Sequence, residues 1–169
     1  SCVTLTVNSP ITISAQPANV DICLPLNTAS FSVTAAGTGL TYQWQVSTNG
    51  GTSWSDLSGQ TAATLNLTSL TAAFNGNQYR VVLNGTCTAN LNSSAATLAV
   101  NSPVDITTQP TDVSSCAGSA ISFNVVATGS TITYQWQVSV NGGAFVDLSN
   151  TAPFSGVTTS TLNISPVST

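Results

Sequence analysis

Thr41-Tyr-Gln-Trp-Gln-Val-Ser47 runs into Asn49-Gly50-Gly51, and the same seven residues return as Thr133-Tyr-Gln-Trp-Gln-Val-Ser139, running into Asn141-Gly142-Gly143. Tyr42, Trp44 and Val46 alternate with Gln43 and Gln45, and a period of two is that of a half-buried antiparallel strand with its apolar residues turned to a core. The Asn-Gly-Gly that follows supplies residues tolerant of positive φ, as a tight hairpin turn requires. Working outward, the same alternation appears at Phe31 and Val33, Leu65 and Leu67, Tyr79 and Val81, and Leu98 and Val100. No apolar stripe of period 3.6 persists, and Thr, Val and Ser dominate, so the chain reads as all-β.

Repetition extends beyond that stretch. Ser94-Ala-Ala-Thr-Leu-Ala-Val-Asn-Ser-Pro103 matches Ser1-Cys-Val-Thr-Leu-Thr-Val-Asn-Ser-Pro10 at seven of ten positions, 93 residues apart, and the same offset relates Cys23 to Cys116. A period of that length is too long for a solenoid unit and suits independently folded sandwiches. The expected organisation is residues 1–9 as the last strand of a preceding repeat, 10–102 as a complete domain, and 103–169 as a second domain lacking its last two strands. Two explanations fit that division. The chain is part of a longer array, or residues 1–9 of one copy are a donor strand that completes the second domain of the next, giving a head-to-tail filament by β-augmentation. Donation supplies one strand where two are lacking.

The order of features narrows the fold. Trp44 falls on the third strand and Tyr79, within Asn75-Gly-Asn-Gln-Tyr-Arg-Val81, on a sixth, where a tyrosine corner would bond back to the backbone. These positions predict tandem immunoglobulin-like Greek-key β-sandwich domains. The succession Thr-Tyr-Gln-Trp-Gln-Val-Ser, Trp54-Ser-Asp-Leu-Ser58, Thr64-Leu-Asn-Leu-Thr68, Asn75-Gly-Asn-Gln-Tyr-Arg-Val-Val82 and Ala96-Thr-Leu-Ala-Val-Asn101 resembles the Ig-like repeats of large secreted surface proteins of gliding bacteria. That resemblance spans the chain. It implies a sandwich fold, type IX style export to the bacterial cell surface and a part in adhesion or surface architecture, and it carries over no catalytic residues. Such repeats are also attached to secreted enzymes, so the alternative function is a carbohydrate-binding accessory module.

Composition restricts the chemistry. The chain has 4% charged residues: one cation, Arg80, and five aspartates, with no Lys, His or Glu and a net charge of −4. A single cation cannot neutralise a row of phosphates, which argues against nucleic acid and anionic membranes as partners. No apolar run approaches the roughly 20 residues of a spanning helix, so no membrane insertion is expected. Without His or Lys there is no ordinary base to activate a nucleophile. Asp21, Asp56, Asp105, Asp112 and Asp147 are scattered, and no enzyme activity, metal or cofactor is expected.

Four cysteines lack metal-ligand spacing. Val81 stands where the sixth-strand cysteine of an inter-sheet bridge would be, and the expected disulfide is instead Cys23, before the second strand, with Cys87, after the sixth. Such a bond implies an oxidising compartment. Cys116 corresponds to Cys23, and Cys2 has no assigned partner. Trp44, Trp136, Tyr42 and Tyr134 are expected in the core. The candidates for ligand or interface are Trp54 and its counterpart Phe145, beyond the turns, and the outward Gln43, Gln45, Gln135 and Gln137, whose amides could form a polar ladder for surface glycans or a neighbouring fibre.

Overall fold

The Thr41–Ser47 alternation produces the longest strand together with Gln78–Asn84, and everything else is arranged about that pair. A computed structural model describes residues 3–168, which divide into two units, Ser1–Ser102 and Pro103–Thr169. Ser1, Cys2 and Thr169 lie outside the described residues, and so does the pairing of Cys2. Unit 1 contains β1 (Thr12–Ala15), β2 (Val20–Cys23), β3 (Ala29–Ser32), β4 (Thr34–Ala36), β5 (Thr41–Ser47), β6 (Ser55–Asp56), β7 (Thr64–Leu67), β8 (Gln78–Asn84), β9 (Leu91–Asn92) and β10 (Ala96–Asn101). Among the described residues the one helical element is a 3-10 turn at Ala72–Phe74.

One sheet of unit 1 runs β2-β10-β8-β5-β6, with β9 also on β8. The other layer is built from β1 on β4 and β3 on β7. The opening strand therefore changes sheets, first pairing antiparallel with β4 and then, as β2, parallel with β10. Pro17, which has no N–H to give a ladder, sits at the changeover. The strand carrying Tyr79 is the sixth once β1 with β2 and β3 with β4 are each counted as one broken strand.

Period two is obeyed where the layers face each other. Phe31, Val33 and Leu65 from one layer meet Trp44, Tyr79, Val81, Leu83, Leu98 and Val100 from the other, all buried. The Phe31 and Tyr79 rings lie 4.9 Å apart. Burial pushes the Tyr79 hydroxyl above its ordinary pKa, against an opposing hydrogen bond with the Asn77 side chain. Trp44 is wholly enclosed, and its indole N–H donates to the Ala62 carbonyl at 2.9 Å. The turn after β5 has Gly50 and Gly51 at φ 68° and 86°. The Ser47 hydroxyl accepts the Gly51 N–H inside it.

Unit 2 contains β11 (Asp105–Thr108), β12 (Ile121–Asn124), β13 (Val126–Thr128), β14 (Gln137–Val138), β15 (Val146–Asp147), β16 (Phe154–Ser155) and β17 (Thr161–Ile164). Its pairings repeat those of unit 1. The Asp105↔Thr128 register matches Thr12↔Ala36, Phe123↔Leu162 matches Phe31↔Leu65, and Gln137↔Asp147 matches Gln45↔Asp56. Trp136 donates its indole N–H to the Thr159 carbonyl at 2.9 Å, as Trp44 does to Ala62. Among the described residues unit 2 has no strand corresponding to β8 or β10. Trp136 is accordingly only half-buried, and Val104, Ile106, Val125, Ala127, Tyr134 and Trp136 line an open apolar groove of about 310 Å³.

The expected Cys23–Cys87 disulfide is not formed. Cys23, Cys87 and Cys116 are exposed free thiols. The reason is strand direction. β10 starts with Ala96 opposite Tyr79 and ends with Asn101 opposite Cys23, which carries Cys23 past the Gln78 end of β8. Cys87 follows the other end of β8, after Asn84. At about 3.3 Å per residue the two are separated by on the order of 30 Å, against the ~6 Å between α-carbons that a disulfide spans. Without that bridge the cysteines give no sign of an oxidising compartment.

Candidate functional site

The outer face of β5, β6 and β8 holds Gln43 and Gln45, with Trp54 just before β6. Gln45 and Arg80 are register partners on that face, opposite in sense to the buried Trp44 and Val81. Arg80 Nε donates to Gln45 Oε1 at 2.8 Å, and Gln45 Nε2 donates to Asp56 Oδ1 at 2.8 Å. The guanidinium carbon lies 4.3 Å from the centre of the Trp54 ring. Trp54 in turn donates its indole N–H to the Gly51 carbonyl at 3.1 Å. The protein's single cation is thus fixed by an aromatic face and by a carboxylate acting through an amide, an arrangement worth about 0.5–1 kcal/mol for the stacking alone at an exposed site.

Gln43 is used differently. Its amide nitrogen donates to the Trp44 carbonyl at 2.9 Å and to the Leu57 carbonyl at 2.8 Å, tying β5 to the chain after β6. Unit 2 repeats the amide bonds of both glutamines, without a counterpart of Arg80. Gln135 donates to Trp136 and Leu148, and Gln137 to Asp147 Oδ1, at 2.8–2.9 Å. All four glutamines face outward, as their alternation with the core residues requires, but their amide nitrogens are spent within their own hairpins. Phe145 departs from its counterpart Trp54, with 70% of its surface exposed.

Arg80 over Trp54 has one signal in the sequence: Arg80 lies between inward Tyr79 and Val81 and must point outward. No three His, Cys, Asp or Glu side chains gather in one place among the described residues. None of the described helices is long and apolar enough to cross a membrane.

Residues 10–102, the first complete repeat, match the model of a family described as a domain of unknown function, DUF8696. The chain belongs to the DUF8696 family. No curated protein matches it significantly. Among solved structures, the DUF8696 chain is similar to immunoglobulin domains 1–4 of Sidekick-1, with TM-score 0.70 and 16% identity over 98% of this chain and 44% of that one. It is also similar to the titin I-band fragment I67–I69, with TM-score 0.59 and 15% identity over 97% of this chain and 57% of that one. Extracellular domains 3–5 of Drosophila OTK give TM-score 0.58 and 15% identity over 94% of this chain and 53% of that one. The DUF8696 chain spans about half the length of these structures or less. At such identities the likeness concerns fold, and the fold is that of tandem immunoglobulin-like β-sandwiches.

Proposed function

We propose that this chain is a non-catalytic structural and adhesive repeat of an extracellular bacterial surface protein, carrying a stalk or filament. The observation that supports it most directly is the use of the polar side chains. Gln43, Gln45, Asp56, Arg80 and Trp54 hold the hairpins of the sandwich together, and the unit that they stabilise recurs along the chain. Near absence of charge suits close packing against neighbouring copies, because desolvating a charge is expensive. Exposed thiols provide the test. On intact producing cells, a membrane-impermeant maleimide reaches Cys23, Cys87 and Cys116 if the repeat stands outside the cell. Labelling only after lysis overturns the surface assignment.

A head-to-tail form has its own support. Val3, Leu5 and Val7 are 96%, 87% and 79% exposed, and their counterparts in the sequence repeat, Ala96, Leu98 and Val100, are buried core residues of β10. A second copy of this chain offers those three residues to the open apolar groove of unit 2. Sedimentation of the purified chain at rising concentration is expected to show self-association that Leu5→Asp abolishes. A monomer at all concentrations removes the filament. Glycan binding that disappears in Trp54→Ala would instead favour the accessory module of a secreted enzyme.

A further inference from the structure

The edge where the opening and closing strands of unit 1 meet carries side-chain hydrogen bonds as well as a backbone pairing. β2 and β10 run parallel over Val20↔Leu98, Asp21↔Ala99, Ile22↔Val100 and Cys23↔Asn101. Three side chains of the opening strand reach across to the closing one. Gln16 Oε1 accepts the Ser94 N–H at 2.9 Å, Asn19 Oδ1 accepts the Thr97 N–H at 2.8 Å, and Asp21 Oδ1 accepts from the Asn101 amide at 2.6 Å. The Leu24 N–H adds a bond to the Asn101 carbonyl at 2.8 Å. These contacts form one continuous seam between segments about 80 residues apart in sequence.

On its other edge β10 is held equally well. The Val100 N–H donates to Asn75 Oδ1 at 2.9 Å, Leu98 N–H to the Asn77 carbonyl at 2.9 Å, and the Gly76 N–H to the Leu98 carbonyl at 2.9 Å. Beneath the seam, Ile22, Leu98 and Val100 are buried.

The direction of the strands determines what this seam can resist. The chain enters unit 1 at Ile11, whose N–H is held by Thr88 Oγ1, beyond the Asn84 end of β8. It leaves at Asn101, beyond the Gln78 end of the same strand. Tension applied through the neighbouring segments first meets β1 on β4 and, once that short pair yields, pulls β2 from its start and β10 from its finish, in opposite senses along parallel neighbours. Every bond of the seam is then loaded at once in shear, whereas a strand peeled from one end breaks its bonds one after another. A barrier composed of simultaneous ruptures raises the resistance to forced unfolding, which is governed by the unfolding rate rather than by equilibrium stability.

We infer that the Gln16, Asn19 and Asp21 seam between β2 and β10 is a mechanical clamp, and that unit 1 is a load-bearing element. This rests on the scaffold reading above and gives it a mechanical content. In unit 2 the corresponding positions are Gln109, Asp112 and Ser114, so the acceptors at the first two are kept and the third is shortened.

The test is to stretch the whole chain through its two ends in an optical trap. Unit 1 is recognised by a length gain of roughly 300 Å for an unravelled segment of its size. The variant Gln16→Ala/Asn19→Ala/Asp21→Ala is compared with Gln43→Ala/Gln45→Ala, which removes amide bonds of the β5–β6 hairpin off the load path. The seam variant is expected to unfold about tenfold faster or more at fixed load, because three jointly loaded bonds are gone. The hairpin variant is expected to keep the wild-type rate under load, while both variants lower the urea midpoint. Asn19→Ala alone gives a smaller effect of the same sign and serves if the triple variant does not fold. A seam variant as strong as wild type, or a hairpin variant equally weakened, overturns the clamp. Failure of the scaffold reading shows separately, as absence of surface labelling on intact cells.

Discussion

Val81→Asp is expected to remove about a third or more of the stability of unit 1 and to loosen its core, while leaving the β14–β15 hairpin of unit 2 in place. Val81 is fully enclosed at the centre of β8, opposite Trp44, and its N–H is held by the buried Ser93 hydroxyl at 3.0 Å. A carboxylate there has no cation to meet, since Arg80 points from the other face of the sheet onto Trp54. The new side chain therefore enters the core protonated or opens it, at a cost of about 4–5 kcal/mol once the lost apolar contact of valine is included. A domain of this size has about 5–15 kcal/mol of stability to lose. Near-ultraviolet circular dichroism and a red-shifted Trp44 emission would report the loss. A variant with wild-type spectra and wild-type urea midpoint would mean that the face of β8 is not closed as described.

Trp44→Ala and Trp136→Ala are expected to differ in effect although their sequence surroundings are the same. Removing Trp44 empties the middle of a closed core, costing about 3–5 kcal/mol. Trp136 keeps the same indole bond, to Thr159, and a ring contact with Phe123 at 6.5 Å, but it borders the open groove. Truncation there removes less buried area and leaves no sealed cavity, so about half that loss is expected. Urea titrations of the two variants, followed by far-ultraviolet circular dichroism, measure the difference. Equal losses would show that the groove of unit 2 is covered in solution.

This contrast marks how far local pattern carries. Period two correctly separates Trp44, Tyr79 and Val81 from Gln43, Gln45 and Arg80, because alternate side chains of a strand must leave opposite faces. It equates Trp44 with Trp136, since enclosure depends on which strands arrive from elsewhere in the chain. The glutamines show the same division. Their outward direction is legible from alternation, whereas the carbonyls and carboxylates that engage their amides come from β6, β15 and the segments beyond them, eleven or more residues away in three of the four cases.

Cys23 and Cys87 mark the limit most clearly. Both flank strands at positions that look equivalent in one dimension. Only the parallel pairing of β2 with β10, and the antiparallel pairing of β10 with β8, sends them to opposite ends of the sheet. The seam of Gln16, Asn19 and Asp21 has no sequence signature either, because its acceptors depend on a strand about 80 residues later. The all-β class, the inward and outward faces of the strands and the turns between them were legible in the sequence as properties of neighbours along the chain, and the 93-residue period as direct repetition. Which faces close, which thiols stay free and which edge carries load were decided by strand order and direction, and those exist only once distant segments have paired.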